Sequence, residues 1–229
     1  MSNGKRLVII PAYNEEETIR STVADVREHA PGFDLVVVND CSTDRTREIC
    51  LTEGIPFLDL PVNLGIGGAV QTGYQYAASR GYQIAVQFDG DGQHRAEYLE
   101  EMARTLEEEG LDMVIGSRFI RHEGFQSSTL RQLGIRYFSG LIRLRTGAVI
   151  TDPTSGMRMA GRRLIERFAA DYPRDYPEPE SVTAILKNGF RVEEIPVRMR
   201  ERQGGVSSIS LRKGIYYMIK VSVAVLLAK

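Results

Sequence analysis

The sequence has few of the residues that mark disulfide-rich, zinc-binding or nucleic-acid-binding proteins. Its 229 residues include only two cysteines, Cys41 and Cys50, with no histidine or further cysteine close by. This spacing predicts neither a disulfide framework nor a zinc site, and it favours a reducing compartment. The formal net charge is −1, so we expect no nucleic-acid binding through a broad basic surface.

Long apolar runs are also absent from the sequence. No stretch reaches the roughly 20 apolar residues that a helix needs to span a bilayer. Residues 1–6 lead into a strand pattern without the apolar core of a signal peptide, so we expect a cytoplasmic protein without a secretory leader. The hydrophobic share of 42% and the charged share of 26% are typical of a soluble globular protein. The length predicts a single domain with a full core.

The most informative stretch is residues 84–94, where an apolar strand pattern ends in Asp89 and Asp91. Each aspartate is followed by a glycine, which lets the backbone bend and a bulky anion approach closely. Residues i and i+2 share one face of a strand, so both carboxylates can point at one spot, and Gln93 adds a neutral oxygen. An oxygen-rich cluster of this kind suits a divalent cation that also binds phosphates. A simple polar turn is the alternative.

Short apolar runs alternate with helical patterns through the first half of the chain. The predicted strands are residues 7–10, 35–38, 57–60, 84–88 and 113–116. This alternation predicts an α/β fold with a mostly parallel, Rossmann-like central sheet and helices on both faces. Ligands bind beyond the carboxyl ends of such strands. We therefore expect the polar strand exits to meet along one edge; they are residues 11–15, 40, 89–93 and 117–118.

Local signals add detail to this prediction. Asn14 precedes three glutamates and is predicted to cap a helix whose first turn these acids fill. The loop at 65–68 is glycine-rich but lacks the full spacing of a dinucleotide-binding fingerprint, so it either approaches a nucleotide or is a plain structural loop. In the second half, a basic segment at 131–145 precedes a tight turn at 152–156, and residues 195–199 alternate as in a strand.

Seven segments of the sequence form a pattern that covers nearly the whole chain. In order they are IPAYNEE (10–16), VNDCSTD (38–44), NLG (63–65), DGDGQH (89–94), GSRF (116–119), DPTSGMR (152–158) and RQGGVS (202–207). Together they resemble the family 2 glycosyltransferases of GT-A fold, especially the dolichol- or polyprenyl-phosphate sugar synthases. The resemblance implies a GT-A domain over residues 1–209, followed by an amphipathic C-terminal segment over residues 210–229.

The resemblance implies a donor site for a nucleotide sugar. In it, Asp89, Asp91 and Gln93 hold Mg²⁺ or Mn²⁺ against the diphosphate. Glu15 and Asp40 would contact the base and the ribose, because carboxylates accept hydrogen bonds from ring N–H groups and hydroxyls. Capping of turns and helices is the alternative for these two acids. The residues implied in nucleotide-sugar binding are Pro11, Tyr13, Glu15, Asp40, Gly65, Asp89, Gly90 and Arg202.

The resemblance also implies a set of catalytic residues, namely Asp91, Arg118, Arg131, Asp152 and Arg202. Arg118 and Arg202 would neutralise phosphate oxygens through their planar guanidinium groups. Arg131 resembles the arginine that contacts the acceptor phosphate, although it could be an ordinary surface residue. Three roles are open for Asp152: it would act as a base toward a hydroxyl, orient the acceptor loop, or cap its own turn.

The function implied is that of an inverting, metal-dependent hexosyltransferase. It would move a hexose from a UDP- or GDP-linked sugar to a polyprenyl phosphate, undecaprenyl or dolichyl. A phosphate monoester has a second pKa near ~6, so the acceptor is already ionised and needs no general base.

His94 and Arg200 could assist at the phosphates or serve structural roles. Because the chain has no tryptophan, the Gln-x-x-Arg-Trp element of processive polysaccharide synthases is absent. The alternatives are transfer to a glycan hydroxyl in cell-envelope polysaccharide synthesis and a non-catalytic nucleotide-sugar-binding protein.

The C-terminal segment predicts a membrane address. Residues 215–228 are largely apolar, begin with aromatic residues and follow Arg212 and Lys213. This pattern fits a helix lying at the surface of an anionic membrane, so we expect a peripheral protein on the inner face. The alternative is a helix that docks on the core or on a partner, such as a small membrane protein or a second copy of the chain, and the natural chain could continue beyond residue 229.

Overall fold

Seven strands form one sheet through the middle of the protein. The computed structural model describes residues 4–121, 129–200 and 211–228. The strands are β1 (Arg6–Ala12), β2 (Asp34–Asn39), β3 (Phe57–Asp59), β4 (Ile84–Gln87), β5 (Met113–Ser117), β6 (Arg158–Gly161) and β7 (Val192–Pro196). Their spatial order is β3-β2-β1-β4-β6-β5-β7. Only β6 in this sheet runs antiparallel to its neighbours, which confirms the predicted mostly parallel sheet.

Helices cover both faces of the sheet, as predicted. In the described part of the chain they are α1 (Ile19–His29), α2 (Thr46–Thr52), α3 (Gly65–Ser79), α4 (Leu99–Glu108), α5 (Thr129–Thr146), α6 (Arg162–Ala170), α7 (Pro177–Lys187) and α8 (Leu211–Leu227). A 3-10 turn, Ala96–Tyr98, leads into α4. Buried side chains of α1, α2 and α4 line one face of the sheet, and those of α3, α5, α6, α7 and α8 line the other.

The apolar run of β1 explains its central place in the sheet. Val8 and Ile10 pack into the core on one face, while Leu7 and Ile9 pack into the core on the other. A strand buried on both faces needs apolar residues at successive positions rather than at alternate ones. Burial of each such side chain contributes about 1.5–3 kcal/mol. The central position of β1 places its carboxyl end in the middle of the polar edge.

The first helix begins later than the sequence pattern predicts. Helix α1 starts at Ile19, and no acidic residue lies in its first turn. Asn14 instead adopts a left-handed backbone conformation with φ +57°, and its Oδ1 accepts a hydrogen bond of 2.8 Å from the backbone N–H of Thr43. The predicted N-cap role of Asn14 is therefore wrong. Asparagine tolerates left-handed φ, and here its side chain joins the loops after β1 and β2.

The C-terminal helix α8 docks on the protein along one side. Val221 and Val225 are buried, and the ring of Tyr217 packs edge-on against those of Phe138 in α5 and Tyr176 before α7. The opposite side of α8 carries exposed apolar side chains, which are Tyr216, Ile219, Val223, Leu226 and Leu227. Within the described residues, no helix combines the length and the apolar character needed to cross a bilayer.

Candidate active site

The polar strand exits lie along one edge of the sheet. The carboxyl ends of β1, β2, β4 and β5 face the same way because these strands run in one direction. Strand β6 runs the other way, so its first residue lies at this edge: Arg158 pairs with Gln87, the last residue of β4. The edge therefore also receives the turn at 152–156, which precedes β6.

Asp89 follows β4 and is held from two sides. Its Oδ1 accepts a hydrogen bond of 3.2 Å from Nε2 of Gln87. Its backbone N–H donates over 3.0 Å to Nδ1 of the buried His94, and Nε2 of the same ring lies 3.6 Å from Oδ2 of Asp89. His94 thus makes the contacts expected of a structural role, which was the alternative to assisting at the phosphates. The side chain of Asp89 is 33% exposed, so its carboxylate can still be reached from solvent.

Asp91 and Gln93 continue the same loop. Oδ1 of Asp91 accepts a hydrogen bond of 3.1 Å from the backbone N–H of Gln93. Gly92 lies between them with φ +73°, a left-handed conformation that favours glycine. The backbone oxygen of Gln93 accepts from the N–H of Arg200 at 2.9 Å, and its Nε2 donates to the Arg200 oxygen at 3.5 Å. Residues far apart in the sequence therefore hold this loop.

The oxygen atoms of this loop are of the kind that magnesium and manganese ions prefer. Asp89 and Asp91 supply carboxylates, and Gln93 supplies an amide oxygen. In residues 4–121, 129–200 and 211–228, no group of three or more His, Cys, Asp or Glu side chains is gathered as a metal site. Two carboxylates and an amide match the way proteins bind Mg²⁺ with substrate phosphates, where the substrate completes the oxygen shell.

Two glycines bring other segments close to this loop. A Cβ atom at Gly90 would lie 3.0 Å from the backbone oxygen of Pro11 and 3.5 Å from Cγ of Glu15. A Cβ atom at Gly156 would overlap the carboxylate of Asp89. The turn at 152–156 thus packs directly against the first aspartate of the loop, and only glycine fits at its end.

Arg118 and Asp152 form a buried ion pair beside this turn. Nε of Arg118 lies 2.6 Å from Oδ2 of Asp152, and Nη2 lies 2.7 Å from Oδ1. Asp152 is 0% exposed. Burial by itself lowers the pKa of the Arg118 guanidinium, but its hydrogen bonds to Asp152 and the charges of Asp152 and Asp89 raise this pKa above its usual value. The guanidinium of Arg118 therefore keeps its charge and is within electrostatic reach of Asp89.

Glu194 and Arg158 hold the turn in place, and neither was singled out from the sequence. Glu194 lies on the edge strand β7 and accepts the backbone N–H groups of Thr151 at 2.6 Å and Asp152 at 2.8 Å. Burial raises the pKa of the Glu194 carboxyl. The buried guanidinium of Arg158 donates to the backbone oxygens at 153, 155 and 178. The only sequence signal for Arg158 was its place at the end of the DPTSGMR segment.

Asp40 is committed to the backbone of the glycine-rich loop. Its Oδ1 accepts the N–H of Leu64 at 2.6 Å, and its Oδ2 accepts the N–H of Gly65 at 2.9 Å. These contacts correspond to the capping alternative for this residue. A Cβ at Gly67 would overlap the backbone oxygens at 173 and 174, so the beginning of α3 packs against protein. Gly65 and Gly67 are therefore explained by contacts within the protein. Contact of Asp40 with a nucleotide stays a prediction.

The remaining predicted residues occupy different settings. Pro11 is buried in β1, Tyr13 is exposed, and Glu15 is half-buried and accepts a hydrogen bond of 2.9 Å from the Thr18 hydroxyl. Arg131 lies in the first turn of α5, but its side chain is outside the described residues, as is the whole of Arg202.

Comparison with known proteins identifies the family. Residues 7–169 match the family model described as glycosyl transferase family 2. The chain belongs to this family. The transferase is 31% identical over 216 residues to the polyprenol monophosphomannose synthase of Mycolicibacterium smegmatis, covering 90% of this chain and 81% of that protein. It is 29% identical over 213 residues to the undecaprenyl-phosphate mannosyltransferase of Micrococcus luteus, covering 89% of this chain and 87% of that protein.

A solved structure confirms the GT-A fold of the transferase. Glucosyl-3-phosphoglycerate synthase from Mycobacterium tuberculosis, in complex with Mn²⁺, UDP-glucose and phosphoglyceric acid, superposes with a TM-score of 0.73. The match covers 98% of this chain and 79% of that one at 21% identity, so it bears on the fold alone. The family match and the named relatives establish the chain as a glycosyltransferase, and these relatives act on lipid phosphates.

Proposed function

We propose that this transferase moves a hexose from a UDP- or GDP-linked sugar to a polyprenyl phosphate, with inversion at the anomeric carbon. Relatives with about four fifths of their length covered are named for transfer to polyprenol or undecaprenyl phosphate. The same reaction class is named for a dolichyl-phosphate N-acetylglucosaminyltransferase of Methanococcus voltae, which is 27% identical over 212 residues. These names support the lipid-phosphate acceptor over a glycan hydroxyl.

The buried state of Asp152 is the structural observation that favours a phosphate acceptor. A hydroxyl acceptor needs a general base within hydrogen-bonding reach. Asp152 is the acid of the turn beside the site, but it has no exposed surface and both its oxygens bind Arg118. A phosphate monoester is already mostly ionised at neutral pH and needs no base. Asp152 therefore orients Arg118, and Arg118 together with Arg131 would contact the acceptor phosphate.

The donor would bind across the loop at 89–93. Asp89, Asp91 and Gln93 would hold Mg²⁺ or Mn²⁺, which when bound supplies Lewis-acid stabilisation of the leaving diphosphate. Gly90 lets the loop pack closely against Pro11 and Glu15, so the nucleotide would lie across the surface that these residues form together. Arg202, outside the described residues, would add positive charge at the diphosphate.

A radiolabelled transfer assay tests this proposal. UDP- and GDP-linked hexoses are supplied in turn with undecaprenyl phosphate, with dolichyl phosphate or with soluble sugar acceptors, each with Mg²⁺ or Mn²⁺. We expect label in the lipid fraction for one donor, and loss of that signal with EDTA. Label only in soluble sugars would refute the lipid acceptor. Donor binding without transfer to any acceptor would favour the non-catalytic alternative.

We also propose that the transferase lies peripherally on the inner face of the membrane through the exposed side of α5 and α8. Tyr137 of α5 hydrogen-bonds Ser222 of α8 at 3.0 Å, so the two helices form one continuous surface. Its exposed apolar side chains are Leu133, Tyr137, Tyr216, Ile219, Val223, Leu226 and Leu227. Exposed arginines at 136, 143 and 145 flank this surface and would favour anionic lipid.

Sedimentation with anionic lipid vesicles tests the membrane proposal. We expect the double variant Ile219→Glu and Val223→Glu to stay in the supernatant while wild type pellets. Leu51→Glu is the matched control, because Leu51 is an exposed leucine on α2, which covers the other face of the sheet. If wild type does not pellet but forms a dimer that Ile219→Glu disrupts, the surface binds a second copy instead.

A further inference from the structure

Asp25 of α1 is a buried charged residue that the proposed function does not yet use. It lies between the core residues Val23 and Val26 on the inward side of the helix and is 8% exposed. Its Oδ1 lies 2.9 Å from Nη2 of Arg200, and its Oδ2 accepts the backbone N–H of Ala96 at 2.9 Å. Nδ1 of His29, one turn later, lies 3.3 Å from Oδ1. A buried carboxylate with partners from several segments fixes those segments relative to one another.

Through Arg200, this carboxylate reaches the loop that would hold the cation. The backbone N–H of Arg200 donates to the backbone oxygen of Gln93 at 2.9 Å, and the side-chain Nε2 of Gln93 donates to the backbone oxygen of Arg200 at 3.5 Å. Because the side-chain nitrogen of Gln93 is directed at Arg200, the side-chain oxygen Oε1 is the atom that would bind a cation. Ala96, the other partner of Asp25, comes only three residues after Gln93. Asp25 thus holds both the end of the loop and the segment that flanks it.

We propose that Asp25 is a positioning residue that orients Gln93 toward the divalent cation, acting through Arg200 and Ala96. This inference rests on the proposed cation site. Groups that orient metal ligands without touching the metal commonly change metal affinity by about 10–100-fold when they are replaced. A residue that only stabilised α1 would change the stability of the fold and leave metal affinity unaltered.

Asp112 provides a matched control at the opposite edge of the sheet. It immediately precedes β5, away from the carboxyl ends of the strands. Its Oδ1 lies 3.1 Å from Nη1 of Arg163, and its Oδ2 accepts the backbone N–H of Arg191 at 2.9 Å. Its side chain is 11% exposed, close to the value for Asp25. The two aspartates therefore make the same kinds of contact, and only Asp25 is connected to the loop at 89–93.

The test compares Asp25→Asn with Asp112→Asn in two measurements. The first is thermal unfolding, and the second is Mn²⁺ binding followed by electron paramagnetic resonance in the presence of UDP or GDP. We expect both variants to lower the melting temperature, but only Asp25→Asn to weaken Mn²⁺ binding, by about tenfold, with Asp112→Asn within about twofold of wild type. In transfer assays, the half-saturating Mn²⁺ concentration should rise about tenfold while kcat at saturating Mn²⁺ stays within about threefold.

Substitutions at Arg200 keep the proposal testable should Asp25→Asn fail to fold. Arg200→Lys retains the charge opposite Asp25 and should bind Mn²⁺ more tightly than Arg200→Gln. Equal Mn²⁺ affinity of wild type and the Asp25 and Arg200 variants would overturn the positioning role and leave the cation site standing. If wild type binds no Mn²⁺ with either nucleotide, the cation site itself is refuted, and the role of Asp25 with it.

Discussion

Arg118 binds both carboxylate oxygens of Asp152, at 2.6 Å and 2.7 Å, across 34 residues of sequence. Nη2 of Arg118 also donates to the hydroxyl of Thr154 at 3.0 Å, in the same turn. The turn and the exit of β5 are therefore joined by a single guanidinium group. Such a pair gives the arginine a fixed orientation, which an exposed arginine on a flexible side chain does not have.

Replacing Arg118 by alanine should destabilise the fold strongly. The change leaves the fully buried carboxylate of Asp152 without its counter-ion, and loss of one partner of a buried pair typically costs about 3–5 kcal/mol. Urea unfolding measures this loss. Arg45→Ala is the control, because the Arg45–Glu48 pair is exposed and its loss should cost less than about 1 kcal/mol. Equal effects of the two substitutions would show that burial of the Arg118 pair is unimportant.

Asp91→Ala should abolish most transfer activity. If Asp91 holds the cation, its loss removes Lewis-acid stabilisation of the leaving diphosphate, and the rate should fall by about a hundredfold or more. The measurement is kcat at saturating donor and Mn²⁺, with donor binding followed separately. Glu97→Ala, an exposed acid shortly after the loop, should leave the rate unaltered. Unaltered transfer by Asp91→Ala with donor still bound would refute the metal role.

Arg202→Ala should slow transfer without unfolding the protein. We expect a loss of roughly 2–4 kcal/mol of transition-state stabilisation, as for a preorganised charged donor at a developing negative charge. The ratio of kcat/KM values for wild type and variant gives this energy. The exposed Arg104 of α4 supplies the control, Arg104→Ala. A change of less than about threefold would remove Arg202 from the site.

The two cysteines should differ sharply in reactivity. Burial, together with the charges of Glu53 and Asp59, raises the pKa of the Cys50 thiol to about 11. At pH 8 only about one such thiol in a thousand is ionised, and the thiolate is the reactive form. Cys41 is half-buried. A disulfide exchange reagent should therefore titrate one thiol in native protein and two in denaturant. Cys41→Ser should leave none in the native state; rapid release of two by native wild type would contradict this.

Stability should respond to pH through Glu178. Burial raises the pKa of its carboxyl, Arg158 opposes this, and Asp89 raises the pKa further. The folded state therefore binds this proton more tightly than the unfolded chain. The resulting stability is complete below the ordinary pKa and is lost as the pH rises through the raised one. The glutamine of Glu178→Gln cannot ionise. As the pH rises from about 4.5 to about 7, the urea concentration at the midpoint of unfolding should therefore fall less for this variant than for wild type. Parallel curves would contradict this.

Local patterns predicted the elements of the first half because each strand and helix carries its own periodicity, whereas the strand expected at residues 195–199 is β7, Val192–Pro196. The run at β1 and the inward positions of α4, Leu99, Met102 and Leu106, have the burial that their spacing predicts. The direction of β6 could not be predicted, since a short strand has the same pattern in either direction. Asn14 was misassigned because a helix cap and a loop bridge use the same side-chain chemistry.

The contacts that organise the site were beyond sequence reasoning for a different reason. Asp25 and Arg200 are 175 residues apart, and nothing in the sequence distinguishes this pair from any other aspartate and arginine. Only the folded chain brings Glu194 beneath the turn at 152–156 and Arg158 behind it. The DGDGQH segment predicted the position of the candidate site. No sequence pattern predicted the residues that hold this segment in place.

Because β6 runs antiparallel to its neighbours, the candidate site is built from two separate stretches of the chain. The loops proposed to bind the donor follow parallel strands in the first half of the chain, whereas the turn with Asp152 reaches the same edge because β6 enters the sheet there. If the donor binds as proposed, the acceptor preference can change through the segment between β5 and β6 without any change in the loops that follow β1, β2 and β4.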